Sequence, residues 1–126
     1  MRLRISSLLL LPSLAACSND QPTNALPTFD DSVLAQGKNT WMQVCRNCHL
    51  NGVAGAPAIS DGPAWQERLA KGRTILYESA INGIRTGGGW SMPPRGGVAR
   101  LTDTEVRRAV DYMLAAQAKI TESNQN

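Results

Sequence analysis

The chain has 126 residues, 42% of them hydrophobic and 18% charged, with a formal charge of +3, a length that suits one domain and leaves little room for two. Setting aside the first 16 residues, which hold Arg2 and Arg4, leaves 11 basic against 10 acidic side chains; that excludes the strong basic surplus of a nucleic-acid binder. The remainder has one Phe, three Trp and two Tyr, a thin supply for a core, and domains this small commonly recruit a cofactor, metal or disulfide.

The chain opens with Arg2 and Arg4, an apolar run from Ile5 to Leu14, and small residues before Cys17. Basic, apolar and small in that order read as an export signal. The run is about ten residues, whereas a membrane span needs roughly 20. Leu14-Ala15-Ala16-Cys17 resembles the lipobox of bacterial lipoproteins, in which the cysteine is acylated; cleavage after an alanine that leaves a plain Cys17 thiol is the alternative. Ser18 in place of aspartate after that cysteine resembles outer-membrane lipoproteins of Gram-negative bacteria. From Ser18 to Phe29 the chain is polar and carries Pro22 and Pro27, as a flexible tether would, with a reach of roughly 40 Å.

A first helix is expected from Asp30-Asp31, whose carboxylates suit a helix N-terminus. Leu34, Gly37, Trp41, Val44 and Cys48 then recur at spacings of three and four on one stripe. This helix leads into Cys45-Arg46-Asn47-Cys48-His49, which holds two of the three cysteines and the only histidine of the chain. The spacing reads as c-type haem attachment. Residues three apart share one helical face, so Cys45 and Cys48 can bond to neighbouring corners of one porphyrin. His49, turned by about 100°, can reach the iron. Zinc wants four converging ligands, and a thioredoxin-like dithiol wants a βαβ setting; neither is in view.

A second helix follows Asp61-Gly62-Pro63, with Pro63 in its first turn, and ends before Gly72. A third starts near Thr74 and stops at Asn82-Gly83. Residues 83–101 read as a glycine- and proline-rich loop without strands. The last helix opens on the capping box Thr102-Asp103-Thr104-Glu105 and presents Val106, Val110, Met113 and Leu114. The fold class expected is all-α, about four helices around one covalently bound haem. Its organisation is a lipoprotein-type signal peptide over 1–16, a lipidated N-terminus and tether over 17–30, a haem domain over 31–120 and a disordered tail over 121–126.

Gly37 and Trp41, spaced four and four before Cys45, resemble the start of class I cytochromes c, and Tyr112 resembles the aromatic that packs against it there. Gly52-Val53-Ala54-Gly55-Ala56-Pro57, Trp65 and Met92-Pro93-Pro94-Arg95-Gly96-Gly97 look like the cytochrome c-five subgroup, over roughly residues 33–118. Two departures stand out: there are no cysteines for the extra disulfide common in that subgroup, and Ile84 to Ser91 is longer than usual. The resemblance implies one haem c, bacterial export and an electron carrier with no small-molecule substrate. It also implies that the Pro57 carbonyl accepts the second ring N–H of His49, against the plain reading of a turn proline. Trp65 is implied to donate its indole N–H to a haem propionate, against a core residue. Trp90 shields the haem edge or lies on the loop surface.

With no second histidine, a methionine is the natural partner for the iron opposite His49. Met42 lies on the helix leading into the motif, on the wrong side. Met113 falls on the apolar stripe of the last helix, as core filler. Met92 lies in the loop, and Pro93 pushes it towards extended backbone that presents the side chain; the resemblance points to it too. Arg85, Arg95 and Arg100 surround that methionine in a stretch with no Asp or Glu, and Arg46 sits inside the motif. They are expected to rim the exit edge for electrons and favour redox partners with acidic docking surfaces, or else to be solvated loop residues or propionate partners. Two other functions compete: a fixed haem subunit of a larger membrane oxidoreductase, and a small peroxidase or gas sensor with an open iron site.

Overall fold

The computed structural model describes residues 26–125; the signal segment, Cys17, and the tether up to Ala25 lie outside the described residues. Asp31 caps the first helix, α1 (Ser32–Thr40), its carboxylate accepting from Leu34 N at 2.9 Å. The helix does not stop there. It widens into a π-helical turn (Trp41–Cys45), where the Arg46 N–H reaches back to Trp41 O, and closes again as α2 (Arg46–His49). A short 3-10 turn (Val53–Gly55) follows, and then α3 (Gly62–Ala70), capped by Asp61 through Ala64 N at 3.1 Å with Pro63 in its first turn.

Next come α4 (Arg73–Asn82), which ends on Gly83 at φ 77, and α5 (Asp103–Ser123). The expected capping box opens α5: Glu105 N donates to Thr102 Oγ1 at 3.3 Å and Thr102 N to Glu105 Oε2 at 2.8 Å. α5 is the spine of the domain. Its buried face carries Val106, Ala109, Val110, Tyr112, Met113, Leu114 and Ala116. α1 crosses it with no room to spare, since a Cβ on Gly37 would sit 2.0 Å from Arg108 O and 3.1 Å from Tyr112 Cβ. Trp41 and Tyr112, both fully buried, meet beside this crossing with ring centroids 5.8 Å apart.

Three expectations need correction. Residues 83–101 are not strandless: β1 (Ile84–Thr86) and β2 (Gly89–Met92) form an antiparallel hairpin. Its turn is Gly87-Gly88, both at positive φ, the backbone that tight hairpins prefer; strands this short are too brief to show alternation. The chain before Asp30 is not all free tether, because Leu26 and Phe29 pack on the core, Lys38 Nζ donates to Leu26 O at 3.0 Å and Tyr112 Oη to Pro27 O at 3.0 Å. The last helix also passes the expected boundary at 120 and runs to Ser123, with Gln117 Nε2 donating to Thr121 Oγ1 at 2.8 Å. Among the described residues, no helix is long and apolar enough to cross a membrane.

Candidate functional site

Cys45 ends the π-helical turn, and Cys48 and His49 lie one turn on, in α2. All three line one cavity of about 550 Å³, within the usual range for a bound organic molecule. Its other walls are mostly apolar and come from distant parts of the chain, among them Val44, Ile75, Leu76, Ala80, Val106 and Val110, with Glu67, Arg68, Lys71 and Arg95 also in the lining.

His49 is 7% exposed, and its Nδ1 lies 2.9 Å from Pro57 O. A carbonyl only accepts, so Nδ1 carries the hydrogen and Nε2 keeps its lone pair. Burial lowers the imidazole pKa from its ordinary value, the Pro57 contact opposes this, and the nearby Arg68 charge adds to the lowering. The neutral ring is the form that binds a metal. Ile59 N donates to His49 O at 2.7 Å, so the loop that brings Pro57 is tied back to the motif at two points.

The Cys45 thiol is pushed up to about 11, chiefly by burial. A dithiol redox centre needs the opposite, a lowered pKa that yields thiolate at neutral pH. Among the described residues no three His, Cys, Asp or Glu side chains converge as a metal cluster, so the four-ligand zinc reading has no support. Two thiols one turn apart, a neutral imidazole with a free lone pair and an apolar slot instead fit haem c.

Met92, at the end of β2, lines the same cavity. Met113, part of the hydrophobic core as expected, also lines the cavity from the buried face of α5. Met42 packs against the core and is not in the cavity wall. The cavity-facing residues of α4 and α5 carry the same apolar signature as core, and sequence offers no signal to separate the two.

The role implied for Trp65 is corrected. The ring lines the cavity, 6.1 Å from the His49 ring between centroids. Its one N–H, however, donates to Ala58 O at 2.7 Å, which leaves nothing for a propionate. Arg95 is corrected as well: it is not a free member of a basic rim, because Nη1 donates to Leu101 O at 2.8 Å and Nη2 pairs with Asp103 Oδ1 at 2.6 Å. Arg85 Nη2 donates to Gly88 O at 3.1 Å across the hairpin, Arg46 is half-buried and Arg100 is exposed.

The family described as cytochrome c oxidase, cbb3-type, subunit III, matches residues 32–113. Cytochrome c-555 of Chlorobaculum tepidum is 42% identical over 80 residues, 64% of this chain and 73% of that protein. Cytochrome c5 of Ectopseudomonas mendocina is 41% identical over 71 residues, 55% of this chain and 76% of that protein. Among solved structures, an electron transfer complex of nitrite reductase with cytochrome c contains a chain that is 36% identical and superposes with a TM-score of 0.57, covering 65% of this chain and 94% of that one.

Proposed function

The chain belongs to the family described as cytochrome c oxidase, cbb3-type, subunit III, a class I c-type cytochrome with one covalent haem c, and from that premise we propose that it is an exported, lipid-tethered carrier of single electrons. The observation that carries this reading is one cavity bringing together Cys45, Cys48, a buried neutral His49 and Met92. The haem, when bound, supplies the one-electron iron couple. Cys45 and Cys48 would hold it through thioethers. His49 would hold the iron through Nε2, with Pro57 O fixing the tautomer and orientation of the ring. Met92 would hold the iron from the cavity wall supplied by β2, and a Met/His ligand pair would raise its potential. Held by both residues, the iron would offer no place to a substrate, and the mostly apolar walls would limit the access of water.

Met92 is preferred to Met113 because Met113 is 7% exposed within the core face of a rigid helix, whereas Met92 closes a strand whose next residue is Pro93. The test is the weak long-wavelength sulfur-to-iron band of the oxidised protein. Met92→Ala should abolish it and lower the potential; loss of the band on Met113→Ala, with Met92→Ala normal, would overturn the assignment. The pigment should also stay with the polypeptide through acid and organic extraction.

The carrier works on the periplasmic side, anchored through Cys17, with the outer membrane favoured by Ser18. Wild type should then pellet with membranes and Cys17→Ala should not. Its partners are redox proteins; Arg46, Arg85 and Arg100 favour acidic docking surfaces on them. The family match supports a second reading, in which the same domain is a fixed haem subunit of a membrane oxidase; stoichiometric co-purification with such an enzyme would favour it over a free shuttle.

A further inference from the structure

The strand end that carries Met92 is held from three directions. Behind it stands Gly83, at φ 77, where a Cβ would lie 2.7 Å from Met92 O and 2.7 Å from Pro94 N. Ahead of it is Gly96, at φ 62, where a Cβ would lie 2.4 Å from Val44 Cγ1, on the turn that leads into Cys45. Between them Arg95 takes φ 52, a left-handed backbone that residues other than glycine seldom adopt. That conformation turns the guanidinium onto the start of α5. Nη1 donates to Leu101 O, and Nη2 pairs with Asp103, the first residue of the helix. The Arg95 side chain is 25% exposed and that of Asp103 55%, so the guanidinium is held against the protein while the carboxylate stays open to solvent and its attraction is screened.

We propose that Arg95 and Asp103, acting with the close approaches at Gly83 and Gly96, form a latch that holds the Met92 strand end at a set distance from the helix of Cys45 and His49. Arg95 is on this view a positioning residue for the axial thioether and not a docking residue. The inference rests on the reading of Met92 as a ligand. A thioether is a neutral ligand on a flexible side chain, so its hold on a metal depends on how much of the loop's freedom is already removed before it binds. The hairpin tip cannot supply that restraint: around Gly87, Gly88 and Gly89 an added Cβ would meet nothing within 4 Å. The restraint comes from the other end, where Pro93 and Pro94 stiffen the chain and Arg95 fastens it to α5.

The test uses the oxidised holoprotein and titrates imidazole against the sulfur-to-iron band. Arg95→Gly removes both guanidinium contacts without adding backbone strain, since glycine is at ease at φ 52. Asp103→Asn removes the other half of the pair and keeps a side-chain acceptor in the first turn of α5. Each variant should let imidazole displace the thioether at a concentration lower by about threefold, Arg95→Gly further than Asp103→Asn because it also gives up the Leu101 contact, with helical content unchanged. The double variant should go little further than Arg95→Gly alone, because that change already breaks the pair. An imidazole midpoint equal to wild type in Asp103→Asn, or effects of the two changes that simply multiply, would overturn the latch. Met92→Ala run alongside keeps the two ideas apart. If the band survives in Met92→Ala the ligand assignment fails; if it vanishes there while the Arg95 and Asp103 variants titrate like wild type, only the latch fails.

Discussion

Trp65 has one hydrogen to donate and gives it to Ala58 O at 2.7 Å, inside the wall that also supports His49. A buried carbonyl stripped of its donor loses roughly 1–3 kcal/mol, so Trp65→Phe should lower the melting temperature measurably while leaving the pH dependence of the potential, which reports propionate ionisation, where it was. A shift of that pH profile would return the indole to the propionate. Tyr112 is fully buried, donates to Pro27 O at 3.0 Å, and burial pushes its phenol up to about 12. In the unfolded chain it ionises near 10. Below about pH 10 both states are neutral and the contribution to stability is complete; between about 10 and 12 the unfolded chain releases its proton first, and stability falls as pH rises. Denaturant midpoints should therefore drop across that window, and Tyr112→Phe should flatten the drop while costing about 1 kcal/mol at neutral pH.

Elements meet here by backbone contact as much as by side chains. The crossing of α1 over α5 depends on Gly37, because any Cβ there would strike Arg108 O at 2.0 Å. A backbone carbonyl cannot swing aside as a flexible side chain would. Gly37→Ala should cost about 3 kcal/mol or more and separate the aromatic contact between Trp41 and Tyr112, seen as a melting temperature lower by roughly 10 °C or more or as failure to mature with haem. The π-helical turn at Trp41–Cys45 belongs to the same junction. It buries Trp41 beside Tyr112, and Trp41, Val44, Cys45 and Cys48 together line the cavity.

For the molecule as a whole, charge is nearly balanced, so steering rests on where the charges lie. With Arg95 bound to Asp103, the cations left to meet a partner near the ligand strand are fewer than the composition of residues 83–101 suggests. Electron transfer to an acidic partner should slow as salt shortens the screening length from roughly 10 Å at 0.1 M to about 3 Å at 1 M. Arg100→Glu should weaken that dependence and Arg95→Gly should not. A rate indifferent to salt would remove charge as the steering force and leave apolar contact. Tethering would work alongside this steering. With Leu26 and Phe29 docked on the core, any tether from Cys17 would be shorter than the polar stretch to Phe29 by itself implies.

Cys45, Cys48 and His49 were legible because the chemistry they carry is local: five consecutive residues on one helical turn hold every attachment point. The caps at Asp31, Asp61 and Thr102 were legible for the same reason, since each donor lies three residues from its acceptor. The contact between His49 and Pro57 was implied by resemblance, eight residues apart, and the structure supplies its geometry. Trp65 and Arg95 were read otherwise, because a donor with several possible acceptors is assigned only when the fold decides which one arrives first. Ala58 O and Asp103 won those competitions through loop paths that no periodicity encodes. The hairpin escaped notice because its strands pair with each other across Gly87-Gly88 and not with any patterned face. The cavity is the clearest case. Its apolar walls on α4 and α5 have the composition of core, and only the packing of those helices against α1 and the Met92 strand determines which of them face one another and which face a space.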